Sequence, residues 1–354
     1  NAMSKQADKQ VFVCASAGNH AQGVAFVCKH MRKNGVIFMP VTTPQQKISK
    51  TKLFGGGWVE VRLVGDYFDD TLRASQTYCA EVGGHFLSPF DDLDVIEGQA
   101  TVTHELLEQL EGAPDILVVP VGGGGLSSSA RRLLMERAPD TEIFYVEPTG
   151  GKSLAAAVLA GKPTTIKNVD TFVDGAAVAC IGKHTFAALK GIDADHVLAI
   201  PEDRICTTIL EMLNIEGVVL EPAGALALDA LKDLKEKIKG KTVVCVSSGG
   251  NFDFERLPEV KERAQRFAGV KKYFILRMPQ RPGALKDFLG LLGPDDDISR
   301  FEYLKKSARN FGTVLLGVET SSPENFVSLL ERLENAGMSI RDITGDEAMV
   351  DLII

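Results

Sequence analysis

Four consecutive glycines, Gly122, Gly123, Gly124 and Gly125, followed by Leu126, stand between the β-rich run Ile116 to Val121 and a helical pattern carrying Leu133 and Leu134. With no β-carbon on any of the four, successive N–H groups can close on a phosphate dianion, and the start of the next helix favours its charge. The segment has neither the Gly-Lys-Ser/Thr ending of a Walker loop nor the spacing of a GxGxxG fingerprint. It therefore reads as a strand-to-helix phosphate cradle of another kind, with a flexible ligand-free turn as the plainer alternative.

The same strand-loop-helix logic occurs twice more. Val13 and Cys14 lead into Ala15, Ser16, Ala17, Gly18, Asn19 and His20 before a helix expected near Ala21. A helix N-terminus offers unpaired N–H groups, so Ser16 to His20 can hold a carboxylate; an ordinary turn with a Ser or Asn cap is the alternative. Val243 to Val246 lead into Ser247, Ser248, Gly249, Gly250 and Asn251, a turn that is usually structural when it stands alone. Ligands of open α/β sheets bind beyond the carboxyl ends of the strands, so three such loops in one domain are expected to meet at one crevice.

Strand candidates Val36 to Met39, Val59 to Val64, Ile116 to Val121, Ile143 to Val146 and Val243 to Val246 alternate with amphipathic helices. One helix carries Val102, Leu106, Leu107 and Leu110, another Leu226, Ala230, Leu231, Leu234 and Ile238. The alternation predicts an α/β fold with parallel sheet covered on both sides. At 354 residues the chain exceeds one ordinary core and suggests two or three domains. A charged stretch, Arg256 to Lys272, marks the boundary, giving domains 1–265 and 271–354. Beyond it the pattern is strand (Tyr273 to Met278), helix (Ala284 to Leu292), strand (Ile298 to Lys305), strand (Thr313 to Glu319), helix (Glu324 to Ala336) and strand (Ala348 to Ile353). That is a βαββαβ, ferredoxin-like plan.

A net charge of -8, from 39 Lys and Arg against 47 Asp and Glu, with no basic block, argues against a nucleic-acid partner. The six cysteines lie apart, without the spacing of a zinc site or a disulfide framework. No apolar run reaches the ~20 residues of a membrane helix and no secretory signal opens the chain, so a cytoplasmic protein without membrane partners is expected. Asn1, Ala2 and Met3 read either as the scar of a cleaved tag or as native chain entered in mid-domain, ahead of a buried strand at Val11 to Val13.

Ser-Ala-Gly-Asn-His, Gly-Gly-Gly-Gly-Leu and Ser-Gly-Gly-Asn, in this order, resemble the pyridoxal phosphate (PLP) binding set of the tryptophan-synthase-β-like, fold type II enzymes. Ala15 to Gly23, Phe38 to Pro44, Gln46 with Lys47, Glu221 to Ala225 and Tyr273 to Leu285 are more closely similar to the biosynthetic threonine ammonia-lyase (threonine dehydratase) family. The similarity covers nearly the whole chain, and the tail resembles the single ACT-like regulatory module of its short forms.

The resemblance implies a two-part, open parallel-sheet PLP domain and a regulatory domain. It implies that Asn19 bonds the phenolic oxygen of PLP, that Gly122, Gly123, Gly124, Gly125 and Leu126 bind its phosphate, and that Ser248 faces the pyridine nitrogen. Ser16, Ala17, Gly18, Asn19 and His20 would grip the substrate carboxylate; His20 is as readily a supporting or capping residue and is given no proton-transfer role. L-threonine would be converted to 2-oxobutanoate and ammonia on the route to isoleucine, with L-serine as an alternative substrate. Isoleucine and valine would be effectors, the turn Pro282, Gly283 and Ala284 would face the effector or simply open a helix, and a homo-oligomer, in the family a tetramer, is implied.

The resemblance also implies a cofactor-linking lysine in a Ser-Phe-Lys-x-Arg-Gly-Ala segment upstream of Ser-Ala-Gly-Asn. No such segment stands among these residues, and Asn1 to Ser4 match the positions just after it, so the chain as given is expected to be inactive or nearly so. Lys5 and Lys9 read as solvated surface residues. Ser127 to Ser129 replace the further glycine usual after the cradle, and a stiffer exit is expected. A β-replacement enzyme of the same class and a non-catalytic branched-chain amino-acid sensor, in which residues 271–354 bind and the rest is scaffold, are the competing readings.

Overall fold

A computed structural model describes residues 1–304, 310–346 and 348–349. The chain divides into two compact units, Asn1–Asp253 and Phe254–Ile354.

The first unit holds two parallel sheets. In chain order the strands of the first are β1 (Val11–Ala15), β2 (Asn34–Met39), β3 (Val59–Leu63) and β4 (His85–Phe86), arranged β3-β2-β1-β4. Those of the second are β5 (Ile116–Pro120), β6 (Glu142–Pro148), β7 (Val197–Ile200) and β8 (Val243–Cys245), arranged β7-β6-β5-β8. Each neighbouring pair is parallel.

Strands covered on both faces need apolar residues at successive positions, as in Val11 to Ala15 and Ile116 to Pro120. Phe12 and Cys14 pack with Ala21, Val24, Ala25 and Cys28 of the helix Asn19–Met31 on one face, while Val13 packs with Cys79 of the helix Phe68–Glu81 on the other. In the second sheet Leu117 meets Ala130 and Leu134 of the helix Gly125–Arg137, and the helix Pro222–Asp229 packs against β5 and β6. Ala2 and Met3 are buried in the core of the first sheet, and Lys5, part exposed, pairs with Asp94 and Glu97.

Two expectations about this unit need correction. The helix through Leu226, Ala230, Leu231, Leu234 and Ile238 stops at Asp229 and passes into the 3-10 turn Ala230–Lys232. Leu226, Ala230 and Leu234 stay buried, but the fully buried Asp229 carboxylate is held by Arg204 Nε at 2.6 Å and Thr208 Oγ1 at 2.7 Å at the point where the helix ends. Strands β4 and β7 had no place in the sequence pattern, β4 because it is two residues long.

The second unit opens with the helix Leu257–Phe267 and continues with β9 (Lys271–Pro279), the helix Ala284–Leu289, β10 (Asp297–Leu304), β11 (Phe311–Glu319), the helix Glu324–Asn335 and β12 (Ser339–Asp342). The sheet order β10-β11-β9-β12, antiparallel throughout, is the ferredoxin-like βαββαβ arrangement. Phe274, Leu276, Val314 and Leu316 form its core with Phe288, Phe326, Leu329 and Leu333 of the two packed helices. The closing strand is not where the sequence put it. Gly337, at φ +71°, turns the chain straight back after the preceding helix, and Ser339–Asp342 pairs with β9. Ala348 and Met349 lie in a helical turn, and residues 350–353 of the expected strand lie outside the described residues.

Candidate active site at the carboxyl ends of the two sheets

The glycine loop leaves β5 and enters the helix Gly125–Arg137, with Gly124 at φ +89° in the N-cap position and no side chain capping the helix. Only glycine takes that backbone geometry without strain. The loop is also walled: a Cβ on Gly123 would fall within the Phe90 ring, one on Gly124 would lie 3.0 Å from Thr185, and one on Gly122 would lie 3.1 Å from the Ala176 backbone. Thr185 Oγ1 donates to Gly123 O at 2.9 Å, fixing the peptide that turns the loop.

Among the described residues, the N–H groups of Gly122, Gly123, Gly124, Gly125 and Leu126 have no protein acceptor, although Gly123, Gly124 and Gly125 are buried. Buried unpaired donors are costly. Five in succession at the start of a 13-residue helix are a site for an anion, and a phosphate ester fits it. Ser127, Ser128 and Ser129 lie in the first turns of that helix, their hydroxyls donating back to the carbonyls of Gly124, Gly125 and Leu126.

The loop after β1 is built alike. Ser16 N–H donates to Phe38 O, Gly18 N–H to Ser16 Oγ at 3.2 Å, and the helix Asn19–Met31 begins two residues earlier than the sequence suggested, again without a side-chain cap. Ala17 and Gly18 lie in the bend, and a Cβ on Gly18 would meet nothing within 4 Å, so the loop faces open space. His20 Nε2 donates to Leu87 O at 3.0 Å, and burial lowers its pKa, so the ring is a neutral support for the loop after β4.

Asn19 joins this loop to the third one. Its Nδ2 donates to Glu221 Oε1 at 2.7 Å, and the Glu221 N–H donates to Gly249 O at 3.1 Å. Beyond β8, Ser247 Oγ donates to Gly224 O at 3.3 Å, Lys50 Nζ donates to Asn251 Oδ1 at 3.1 Å, and Ser248 is exposed. Because β5 and β8 are adjacent and parallel, the glycine cradle and the Ser247 to Asn251 loop leave the sheet side by side. The three strand-end loops therefore lie together, as expected of loops beyond the carboxyl ends of the strands.

Four contributors had no role in the sequence reading. Glu221, 5% exposed, has its pKa raised by burial and by Asp174, against the pull of Asn19, Lys47 and Lys50. Lys47 forms an ion pair with Asp174, which anchors the segment walling Gly122. Phe90 and Thr185 complete the wall. Glu221 and Lys47 were visible as part of family-like strings; Phe90 and Thr185 carried no signal, because their role is set only by what a glycine leaves room for. Among the described residues no cluster of His, Cys, Asp and Glu has the makings of a metal site, and no helix is long and apolar enough to cross a membrane.

In the second unit Gly283, at φ +81°, starts the short helix Ala284–Leu289. Pro282 is exposed and Ala284 buried, and Arg281 NH2 bonds Asp287 Oδ2 at 2.6 Å across the turn.

The arrangement is that of an α/β enzyme built round a phosphorylated ligand held at strand ends. Residues 1–249 match the family described as "Pyridoxal-phosphate dependent enzyme", and the chain belongs to that family. Residues 262–353 match the "C-terminal regulatory domain of Threonine dehydratase". The chain is 46% identical over 353 residues to the biosynthetic L-threonine dehydratase IlvA of Bacillus subtilis, spanning 99% of this chain and 83% of that one. It is 43% identical over 359 residues to the Lactococcus lactis enzyme of the same description, spanning 99% and 86%. The processed form of threonine deaminase isoform 2 from Solanum lycopersicum superimposes with a TM-score of 0.69 at 36% identity, covering 75% of this chain and 73% of that one. Pyridoxal phosphate is the cofactor of the family, and the fold type II, parallel-sheet domain with a separate regulatory domain is as the sequence indicated.

Proposed function

We propose that the protein is a biosynthetic threonine dehydratase, converting L-threonine to 2-oxobutanoate and ammonia and regulated through its C-terminal unit. One observation carries the reading: a pyridoxal-phosphate domain and a threonine-dehydratase regulatory domain stand in one chain that is 46% identical, over 99% of its length, to such an enzyme.

The five unpaired N–H groups of Gly122 to Leu126 hold the cofactor phosphate. Asn19 would bond the phenolic oxygen of the cofactor, and the Ser248 hydroxyl would face its pyridine nitrogen. When bound, the cofactor supplies the electron sink that lets an amino acid give up its α-proton and then its β-hydroxyl. A hydroxyl at the ring nitrogen, in place of a carboxylate, would not hold that nitrogen protonated and would favour elimination over deeper carbanion chemistry. The Ser16 to His20 loop, with the uncapped helix behind it, receives the substrate carboxylate. Lys47 and Lys50 are engaged by Asp174 and Asn251 and are given no covalent role.

Regulation belongs to the same reading. The ferredoxin-like unit takes isoleucine or valine, with Pro282, Gly283 and Ala284 as the ligand-side turn, and acts in a cytoplasmic homotetramer. The test is an assay of the protein carrying the lysine-bearing segment upstream of Ser16, with L-threonine and L-serine, with and without isoleucine, alongside calorimetry with isoleucine and valine. Release of 2-oxobutanoate from threonine, reduced by isoleucine, is expected. No 2-oxobutanoate would sink the proposal, and isoleucine binding without turnover would leave the non-catalytic sensor in its place.

A further inference from the structure

The geometry points to Glu221 as the residue that positions the Asn19 amide for the cofactor ring; this rests on the role given to Asn19 above. Glu221 precedes the helix Pro222–Asp229, is 5% exposed, and is clasped to the loop after β8 through its own N–H. Its Oε1 takes the Asn19 Nδ2–H at 2.7 Å, joining residues 202 apart in sequence.

A primary amide has two donors on its nitrogen and an acceptor at its other end, and the two ends can exchange by a half-turn of the side chain. An ionised carboxylate only accepts. Glu221 therefore settles which end of Asn19 faces it. Nitrogen is committed, and its second N–H is left to serve an anionic oxygen in the crevice. With Glu221 removed, the amide is free to turn its carbonyl oxygen towards the same place, where it would repel the phenolic oxygen.

Space for this carboxylate is made by glycine. A Cβ on Gly249 would collide with Glu221 Oε1, and one on Gly175 would come 2.9 Å from Ala223. The charged groups around it are few: Lys47 and Lys50 favour the ionised form, Asp174 opposes it, and burial opposes it most. A buried carboxylate is costly without partners, and the Asn19 amide is the partner in direct contact. The pair thus serves both members: Asn19 helps to keep Glu221 charged, and the charge keeps Asn19 aimed.

The experiment measures the dissociation constant of PLP by equilibrium dialysis for the full-length protein and for Asn19→Ala, Glu221→Ala, Glu221→Gln and the double variant Asn19→Ala/Glu221→Ala. We expect Glu221→Ala to weaken PLP about fivefold to tenfold, within the range of one lost hydrogen bond. Glu221→Gln, whose amide can donate as well as accept and so fixes Asn19 only in part, binds PLP with an affinity between those of the parent and Glu221→Ala at pH 8. The double variant is no weaker than Asn19→Ala alone. Equal weakening by Glu221→Ala with and without Asn19 overturns the proposal, as does unchanged affinity in Glu221→Ala.

Should Glu221→Ala not fold, the pH profile decides. Parent affinity then falls, as pH is lowered through the Glu221 titration, more steeply than that of Glu221→Gln; superimposed profiles overturn the proposal. The assignment of Asn19 fails by a different signature, unchanged PLP affinity in Asn19→Ala, and takes the present inference with it.

Discussion

The carboxylate of Glu147 accepts the backbone N–H of Leu154 at 2.6 Å across the tight turn Thr149–Gly151. Its other oxygen accepts from Ala155 at 2.9 Å, so a fully buried acid caps the helix Ser153–Ala160. Burial pushes its pKa up from 4.5 to about 7, against the pull of those N–H groups. Below 4.5 the group is protonated folded or unfolded. As pH rises towards 7 the unfolded chain releases its proton first, so stability falls through that window by ~3 kcal/mol and is flat above it. Glu147→Gln removes this component. Urea midpoints measured from pH 5 to pH 8 should decline more in the parent than in the variant, and parallel declines would refute the coupling.

At the glycine cradle, Gly123→Ala would drive a methyl group into the Phe90 ring. Overpacking of this kind costs about 1 to 3 kcal/mol and shifts the loop, so PLP affinity should fall together with thermal stability. Adding Phe90→Ala opens the wall and should return part of the stability, while the displaced amides keep affinity low. Stability and affinity both unchanged in Gly123→Ala would show that the loop is not packed as described.

Lys271 lies between two carboxylates, paired with Glu262 and bonded to Glu319 Oε1 at 2.8 Å, with only 7% of its surface exposed. Burial alone would lower its pKa, but the two acids outweigh that and hold it above the ordinary lysine value. Lys271→Met leaves the buried Glu262 unpaired beside the part-exposed Glu319, and breaking a buried ion pair costs about 3 to 5 kcal/mol. Replacing Glu262 by Leu in the same chain should recover much of this, because one unpaired buried charge has gone. Calorimetric unfolding of the single and double variants tests it; no recovery would mean that the cluster acts through something other than charge.

The main architecture and the three loops were legible because each rests on local rules. A buried strand shows as an apolar run such as Ile116 to Val121, and an anion-binding turn shows as a loss of β-carbons at Gly122 to Gly125. Asn19 was legible through its motif. Its partner Glu221 was visible only as part of a family-like string, and its contact with Asn19 not at all, since nothing local marks an acid that will be buried 202 residues away, and the pair is created by the convergence of two sheets. β12 was missed for a related reason. An edge strand reading Ser-Ile-Arg-Asp buries little, and its place is fixed by pairing with β9 rather than by its own pattern. The Ala230–Lys232 turn was hidden by an apolar spacing that stays on one side while the backbone leaves the helix.

Lys47 and Asp174 give the last test, because they separate stability from site geometry. Lys47 lies on the helix Gln45–Gly55, and Asp174 on the segment whose Gly175 and Ala176 backbone stands behind Gly122. Asp174 is over a third exposed, so the pair should add no more than about 1 kcal/mol to stability. Its value lies in holding that segment in place. Lys47→Ala should therefore leave the unfolding midpoint almost unchanged, speed amide exchange at residues 173–178, and weaken PLP a few-fold as the wall behind the cradle loosens. Salt should move the parent the same way, since raising it from about 0.05 to about 0.5 M screens a part-exposed pair. If exchange at residues 173–178 is as slow in the variant as in the parent, the segment is held by its apolar neighbours, and the ion pair is only a surface contact.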